Sequence, residues 1–325
     1  MNKPLASLSL DLDNKWSYMK THGDAGWETF PSYLDIVVPR ALQFMAERSL
    51  TITFFIVGQD AALEKNRAAL SSIAAAGHEI GNHSFHHEPW LHLYSEQQIE
   101  DELTRAEEVI EAATGQRPRG FRGPGYSLSP AVLRTLKRRG YEYDASTFPS
   151  FLGPLARAYY FMTTKLTPEE KAQRKQLFGK MSEGLRPLKP YRWQLEEGAL
   201  LEIPVTTMPI FKVPIHISYV LYLAAFSPAL AVRYFQFSLA LCRLTGAQPS
   251  ILLHPLDFMG ADDNQPELAF FPAMNQPFSN KLKTISDALS YLSKNFQVLN
   301  MEQHARAANA TKLPVLKTDS LPVAA

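Results

Sequence analysis

The chain holds a single cysteine, Cys242, which excludes an intrachain disulfide and any cysteine-rich zinc site. Set in the apolar run FSLALC, that residue reads as a small buried hydrophobe rather than a nucleophile. An excess of charge is also missing. Thirty-three Lys and Arg stand against 32 Asp and Glu, a net charge of +1, so no global field gathers nucleic acid and no nucleic-acid partner is expected. The sequence does not open on a charged region, an apolar stretch and a cleavage site, and the expectation is a cytoplasmic protein. One long stretch lacks Lys, Arg, Asp and Glu altogether, VPIHISYVLYLAAFSPALAV between Lys212 and Arg233. Pro214, His216, Ser218, Ser227 and Pro228 interrupt it, which disfavours a membrane span and leaves a buried core element or a membrane-surface, lipid-binding element.

What is present is ample apolar material. Of 325 residues, 46% are hydrophobic and 20% charged, enough for one large domain or two ordinary ones. Short β-rich runs alternate with helical patterns, which predicts α/β architecture with repeated βα units around a mainly parallel sheet or barrel. Strands are expected at 5–10, 51–57, 78–82, 119–121, 141–143, 200–204, 250–253 and 296–299. Helices are expected at 32–48, 60–76, 95–114, 129–139, 228–244 and 280–294. Ser95 and Gln98 form a capping box at the start of the third helix, and Gly115 stops it. The chain after Gln303 shows little periodicity, so 1–303 reads as a single domain and 304–325 as a flexible tail. Residues 148–199 break the βα rhythm as an insertion. From Arg157 to Arg192 it carries nine Lys or Arg against Glu169, Glu170 and Glu183, a basic lid or membrane-facing segment.

Chemistry gathers at strand ends. Asp11 and Asp13 close the first strand one residue apart, so in extended geometry their carboxylates share a side. A divalent cation would offset two such like charges, although turn-forming aspartates would look the same. In GHEIGNHSFHH, His83 and His87 are four apart, the spacing at which one helical turn offers two imidazoles to one metal. His78 and His86 fall off that spacing and are expected beside the site or at the surface. Two histidines and one carboxylate leave coordination positions open, which fits either a zinc-type hydrolytic site or a non-haem iron oxygenase. FRGPGYS, YDASTF and ILLHPLD add Arg122, Asp144 and His254 at successive strand ends and favour hydrolysis, His254 being placed to protonate a leaving amine.

Taken together, SLDLD, HSFHH, RGPGY, YDAST and LLHP resemble, in order, the five motifs of the polysaccharide deacetylases, the NodB-type family 4 carbohydrate esterases. The resemblance implies a distorted (β/α) barrel and a catalytic divalent metal, Zn2+ first, with Co2+, Ni2+, Mn2+ or Fe2+ as alternatives. It further implies removal of an acetyl or formyl group from a carbohydrate. Carried over by position, it makes Asp13, His83 and His87 the metal ligands, Asp11 the base and His254 the acid. Arg122 would orient Asp11, Asp144 would restrain the arginine or tune His254, and the Gly125 amide, next to Tyr126, would serve the oxyanion. Many family members have adjacent aspartates where Leu12 here separates them, as in a branch that includes deformylases of lipid-linked aminosugars and some peptidoglycan deacetylase or allantoinase-like proteins. The basic and uncharged segments then suggest a polyprenyl-phosphate-linked glycan as substrate and peripheral contact with the inner face of the membrane. The alternative enzyme is an allantoinase-like amidohydrolase acting on a small cyclic amide.

Overall fold

The first strand sets the pattern for the whole chain. In β1 (Leu5–Leu12) the residues Leu8, Leu10 and Leu12 join the large apolar core outside the sheet, while Ser7, Ser9 and Asp11 alternate to the other face. A period of two along a buried strand produces this division, and it places every polar side chain of β1 on the inside.

The computed structural model describes residues 3–153, 155, 181–319 and 321–322. After β1 come α1 (Lys15–His22), α2 (Leu34–Ala46), β2 (Thr53–Ile56), α3 (Gly58–Ala61), α4 (Glu64–Ala75) and β3 (Glu79–Asn82). Then follow α5 (Glu96–Thr114), β4 (Gly120–Phe121), α6 (Pro130–Arg138) and β5 (Tyr143–Asp144). The hairpin β6 (Tyr191–Leu195) and β7 (Gly198–Glu202) leads to α7 (Ile217–Ala224) and α8 (Pro228–Thr245). The chain closes with β8 (Ser250–Leu253), α9 (Phe278–Asn295), β9 (Gln297–Leu299), α10 (Met301–Asn309) and β10 (Val315–Lys317). The Ser95–Gln98 capping box forms as expected, and Gly115 ends α5 in the left-handed conformation.

Strands β8, β1, β2, β3, β4, β5 and β7 lie side by side in that order, all parallel, with β6 antiparallel on β7 and β10 parallel on β6. Beyond β7 the Thr206 amide donates to the Ser250 carbonyl at 3.0 Å, and the Ser250 amide donates to Thr206 Oγ1 at 2.8 Å. These two bonds bring the run after β7 against β8, an irregular seam instead of a ladder. The result is the α/β architecture of a distorted (β/α) barrel.

A second apolar cluster of Phe55, Tyr143, Ala145, Leu201 and Ile203 fills the interior and meets Met301, Ala305 and Ala308 of α10. Helix α10 plugs the end where the strands begin: His304 bonds Ser7 Oγ at 2.8 Å, and the Met301 amide donates to Thr53 Oγ1 at 2.7 Å. The expectation of a flexible tail from 304 is therefore corrected. Residues after Gln303 complete α10 and then pair as β10 with β6. Their sequence signal is weak because only the last six residues of α10 follow Gln303, too few to show a helical period. Most of the basic insertion, 156–180, lies outside the described residues.

The uncharged segment divides into α7 and the start of α8, joined through Ser227, which caps α8 with Pro228 in its first turn. Val220, Leu221, Ala224, Ala231 and Phe235 face the core. Among the described residues no helix is long and apolar enough to cross a membrane. Cys242 is buried in α8, and burial pushes its thiol up to about 12, which keeps it protonated and inert.

Candidate metal centre and active site

Parallel strands place all their C-terminal ends at one rim, opposite the end that α10 plugs. Asp13 follows β1 at that rim, and Tyr33 donates its hydroxyl to the Asp13 carbonyl at 2.7 Å. The next residue, Asn14, is tied to Ser32 at 2.9 Å and to buried Asp60 at 2.7 Å. The turn that presents Asp13 is thus held by its own polar neighbours.

The two histidines follow β3, but not on a helix. Ser84 and His87 both take left-handed backbone, at φ 62° and 54°, unusual for residues with a side chain. Asn82 Oδ1 accepts the Ser84 amide, and Glu102 of α5 accepts the amides of Phe85 and His86 and binds His86 Nδ1 at 2.7 Å. A folded loop rather than a helical turn makes the four-residue spacing work, so that expectation is corrected. His86 is spent on anchoring this loop, and His78 lies at the opposite end of β3, where its Nδ1 accepts from the Ile52 amide.

The outcome is a tight convergence. His83 Nε2 lies 3.3 Å and His87 Nε2 3.0 Å from the same Asp13 Oδ1, and all three ligand atoms fall within 4.8 Å of one another. His83 Nδ1 sits 2.6 Å from the Arg122 carbonyl, which can only accept. Nδ1 therefore carries the proton and Nε2 turns its lone pair to the cluster, the arrangement a metal ligand needs. Burial opposes ionisation of Asp13, yet His87 and His83 outweigh it and hold its carboxyl well below the usual aspartate range. Burial likewise works against a protonated His83, and Asp11 and Asp13 overcome it to raise that histidine. A divalent cation can take the place of those protons, so the donor set fits one.

Arg122, at the end of β4, is fully buried inside the ring. It donates to Asp11 Oδ1 at 2.7 Å, to Ser9 Oγ at 2.9 Å and to the Ala145 carbonyl at 3.0 Å, and it lies 4.4 Å from the Phe55 ring centre. Asp11 is thus aimed by a fixed guanidinium beside Asp13. The following turn carries Gly125 and Tyr126 with φ of 57° and 62°. The Tyr126 amide is engaged by the Gly123 carbonyl at 2.9 Å, which leaves Gly125 the better placed donor of the two. Tyr126 stacks on Phe148 with ring centres 4.6 Å apart.

Because Leu10 of β1 pairs with Leu253 of β8, His254 emerges beside Asp11 and Asp13. Its Nδ1 is 2.9 Å from Ser218 Oγ, and its amide donates to Asp257 Oδ2 at 2.8 Å. Asp144 does not join this group. Its carboxylate accepts from Ser146 Oγ at 2.6 Å and shares a buried environment with Glu202, which Trp193 Nε1 and the Thr147 amide hold. Burial raises both acids; the hydrogen bond from Glu202 pulls Asp144 back down, while Asp144 pushes Glu202 well above the usual range, so Glu202 keeps the proton. The expectation that Asp144 restrains Arg122 or tunes His254 is corrected: at the end of β5 its side chain alternates away from the ring interior that Tyr143 and Ala145 face. Sequence reasoning missed Asp257, although it stands in the quoted ILLHPLD. It also missed Ser218, which no local signal marks.

Fold and site together define an α/β barrel-type protein with a two-histidine, one-carboxylate centre at the C-terminal ends of its strands. Residues 21–143 match the family model "Polysaccharide deacetylase", and this part of the chain is similar to that family. The matched region contains His83, His87, Arg122, Gly125 and Tyr126, while Asp11, Asp13, Asp144 and His254 lie outside it. A peptidoglycan deacetylase of Helicobacter pylori is 30% identical over 112 residues, 34% of this chain and 37% of that protein. A peptidoglycan-N-acetylmuramic acid deacetylase of Bacillus subtilis is 34% identical over 105 residues, 32% of this chain and 39% of that protein. The chain therefore spans well under half the length of these relatives. Among solved structures, one from Mycobacterium smegmatis named for the polysaccharide deacetylases aligns over 96% of both chains at 20% identity and a TM-score of 0.60. An allantoinase aligns over 94% of this chain and 90% of its own at 17% identity and 0.58. Both likenesses concern the fold.

Proposed function

We propose that this protein is a metal-dependent hydrolase that removes an N-acyl group, acetyl or formyl, from a carbohydrate. The observation that carries the reading is the convergence of His83 Nε2 and His87 Nε2 on one Asp13 oxygen beside an Asp11 aimed by buried Arg122. A divalent cation held by Asp13, His83 and His87, Zn2+ first, would polarise the acyl carbonyl and acidify the attacking water. Asp11 takes the proton of that water, its orientation set by Arg122. The Gly125 amide donates to the oxygen that becomes negative in the tetrahedral stage. His254 gives a proton to the departing nitrogen through Nε2, its other ring nitrogen being engaged by Ser218. Tyr126 and Phe148 form an aromatic wall on which a sugar ring can rest.

For the carbohydrate we propose a lipid-linked glycan met at the inner face of the membrane. From His254 a run of rings leads along α7: His216 at 5.9 Å, then Tyr219 at 6.1 Å, Tyr222 at 6.2 Å and Phe226 at 5.8 Å, each measured from the ring before. It ends at an open, almost wholly apolar cavity of about 600 Å3 between α7 and α8, lined by Leu223, Phe226, Leu230, Tyr234 and Phe237 with Arg233 at its edge. Phe226 and Leu230 are 77% and 63% exposed, an unusual cost for a surface with no apolar partner. A lipid chain in that cavity would set its headgroup sugar toward His254, with Arg233 near the phosphate.

Release of acetate or formate from N-acylated glycans by the metal-loaded protein tests the reaction. Turnover of a free cyclic amide with none on sugars would give the allantoinase-like reading instead. Flotation with vesicles containing an anionic lipid tests the membrane part, and a chain that stays at the bottom of the gradient in every composition rules it out.

A further inference from the structure

Helix α7 enters the molecule through His216 and Ile217, and its second residue, Ser218, reaches across to the end of β8. Its hydroxyl oxygen lies 2.9 Å from His254 Nδ1. Behind it, Asp257 is wholly buried, with Oδ2 accepting the His254 amide at 2.8 Å while Oδ1 has no hydrogen-bond partner within range. Burial raises Asp257, and His254 together with the Ser218 hydroxyl draws it back down. Lys281, also buried, gives its ammonium to the Leu256 carbonyl rather than to Asp257. His216 is a further titratable neighbour, with its ring centre 5.9 Å away, and burial and His254 depress it to about 3, so it is neutral.

A hydroxyl can accept one hydrogen bond while donating another. We propose that Ser218 is a positioning residue whose oxygen accepts from His254 Nδ1–H and whose proton turns to Asp257, so that His254 presents Nε2 to the leaving nitrogen. The proton count closes. Charged His254 carries protons on both nitrogens, loses the one on Nε2 to the departing amine, and remains as the neutral Nδ1–H form that Ser218 already accepts. Asp144, buried against Glu202, is not available for this task.

The inference rests on His254 being the acid, and two kinds of measurement separate the layers. In the full chain carrying 15N-labelled histidine, the neutral ring of His254 is expected as the Nδ1–H tautomer, assigned by its loss in His254→Ala. Ser218→Ala is expected to shift it toward Nε2–H, and Ser218→Thr, which keeps the hydroxyl, to leave it in place. A wild-type ring protonated on Nε2, or one indifferent to Ser218→Ala, overturns the role of Ser218 whatever the reaction proves to be. In the metal-loaded protein, Ser218→Ala is expected to lower kcat roughly tenfold or more with KM little changed, and Ser218→Thr to restore most of it. An unchanged kcat in Ser218→Ala also overturns the proposal. Full activity in His254→Ala would instead remove the acid role of His254, while the tautomer still reports on Ser218.

Discussion

Asp60 anchors the turn that presents Asp13, and its own charge state should govern how firmly. Its side chain is buried, with Oδ1 accepting from Asn14 Nδ2 at 2.7 Å, Trp16 Nε1 at 3.0 Å and Asn66 Nδ2 at 3.2 Å. Oδ2 has no partner. Burial raises the carboxyl from the ordinary 3.8 to about 7, against the pull of Asn14 and Trp16. The folded state therefore holds the proton more tightly than the unfolded chain. The sign follows: the stabilising contribution is complete below the unfolded value and is lost as pH rises through the folded one, from about 4 to about 7. At about 1.4 kcal/mol per pH unit, the whole effect is at most about 4 kcal/mol. Asp60→Asn keeps an oxygen for the three donors and cannot ionise. The introduced amide then sits where Oδ2 had no partner, a pH-independent cost of about 1–3 kcal/mol. Urea unfolding of both proteins in chelator, at pH 5, 6, 7 and 8, isolates the titration as the change in their difference with pH. Between pH 5 and pH 8 Asp60→Asn should gain on the wild type by about 2–3 kcal/mol. A stability difference that stays constant across this range refutes the raised carboxyl.

Removal of the Arg122 guanidinium should be severe, because Asp11 is left buried without its cation. Arg122→Met is expected to cost about 3–5 kcal/mol in denaturant unfolding, with part of it returned by adding Asp11→Asn; losses that simply add would mean the two are not coupled. Metal analysis of protein purified with divalent cation supplied should find about one ion per chain, lost in His83→Ala and in Asp13→Asn while the far-ultraviolet circular dichroism is kept. Retention of full metal in either variant would place the ion elsewhere. Gly120 packs against the Tyr143 ring so closely that an added Cβ would lie 2.0 Å from it. Gly120→Ala should destabilise the ring interior by about 1–3 kcal/mol, and a melting temperature equal to wild type would show that Tyr143 gives way freely.

The order of elements was legible because its causes are local. Alternation along β1, the run of β2, the Ser95–Gln98 box and the Gly115 stop are each written in a few adjacent residues, and the structure keeps them. The same alternation announced that Asp11 and Asp13 share a side; the bonds of buried Arg122 to Asp11 and Ser9 add that this side faces inward. Local reasoning failed where a partner far along the chain supplies the stabilisation. The alanine-rich helix Met301–Asn309 is fixed through His304 and Met301 by Ser7 and Thr53, about 300 and 250 residues away in sequence on β1 and β2. The loop that brings His83 and His87 together owes its left-handed residues to Asn82 and to Glu102 of α5, and a spacing of four could not reveal it.

In the site, the chain by itself determined which chemistry is on offer: two imidazoles, a pair of split carboxylates, an arginine and a histidine at strand ends. Tertiary structure decided the assignments. It put both Nε2 atoms on one oxygen of Asp13, set Arg122 on Asp11, turned Asp144 away to Glu202 and brought Ser218 to His254. The physical reason is that a residue type fixes what a group can donate, accept or bind. Which groups lie within 3 Å of it, and whether water reaches them, is fixed only when distant strands share one ring.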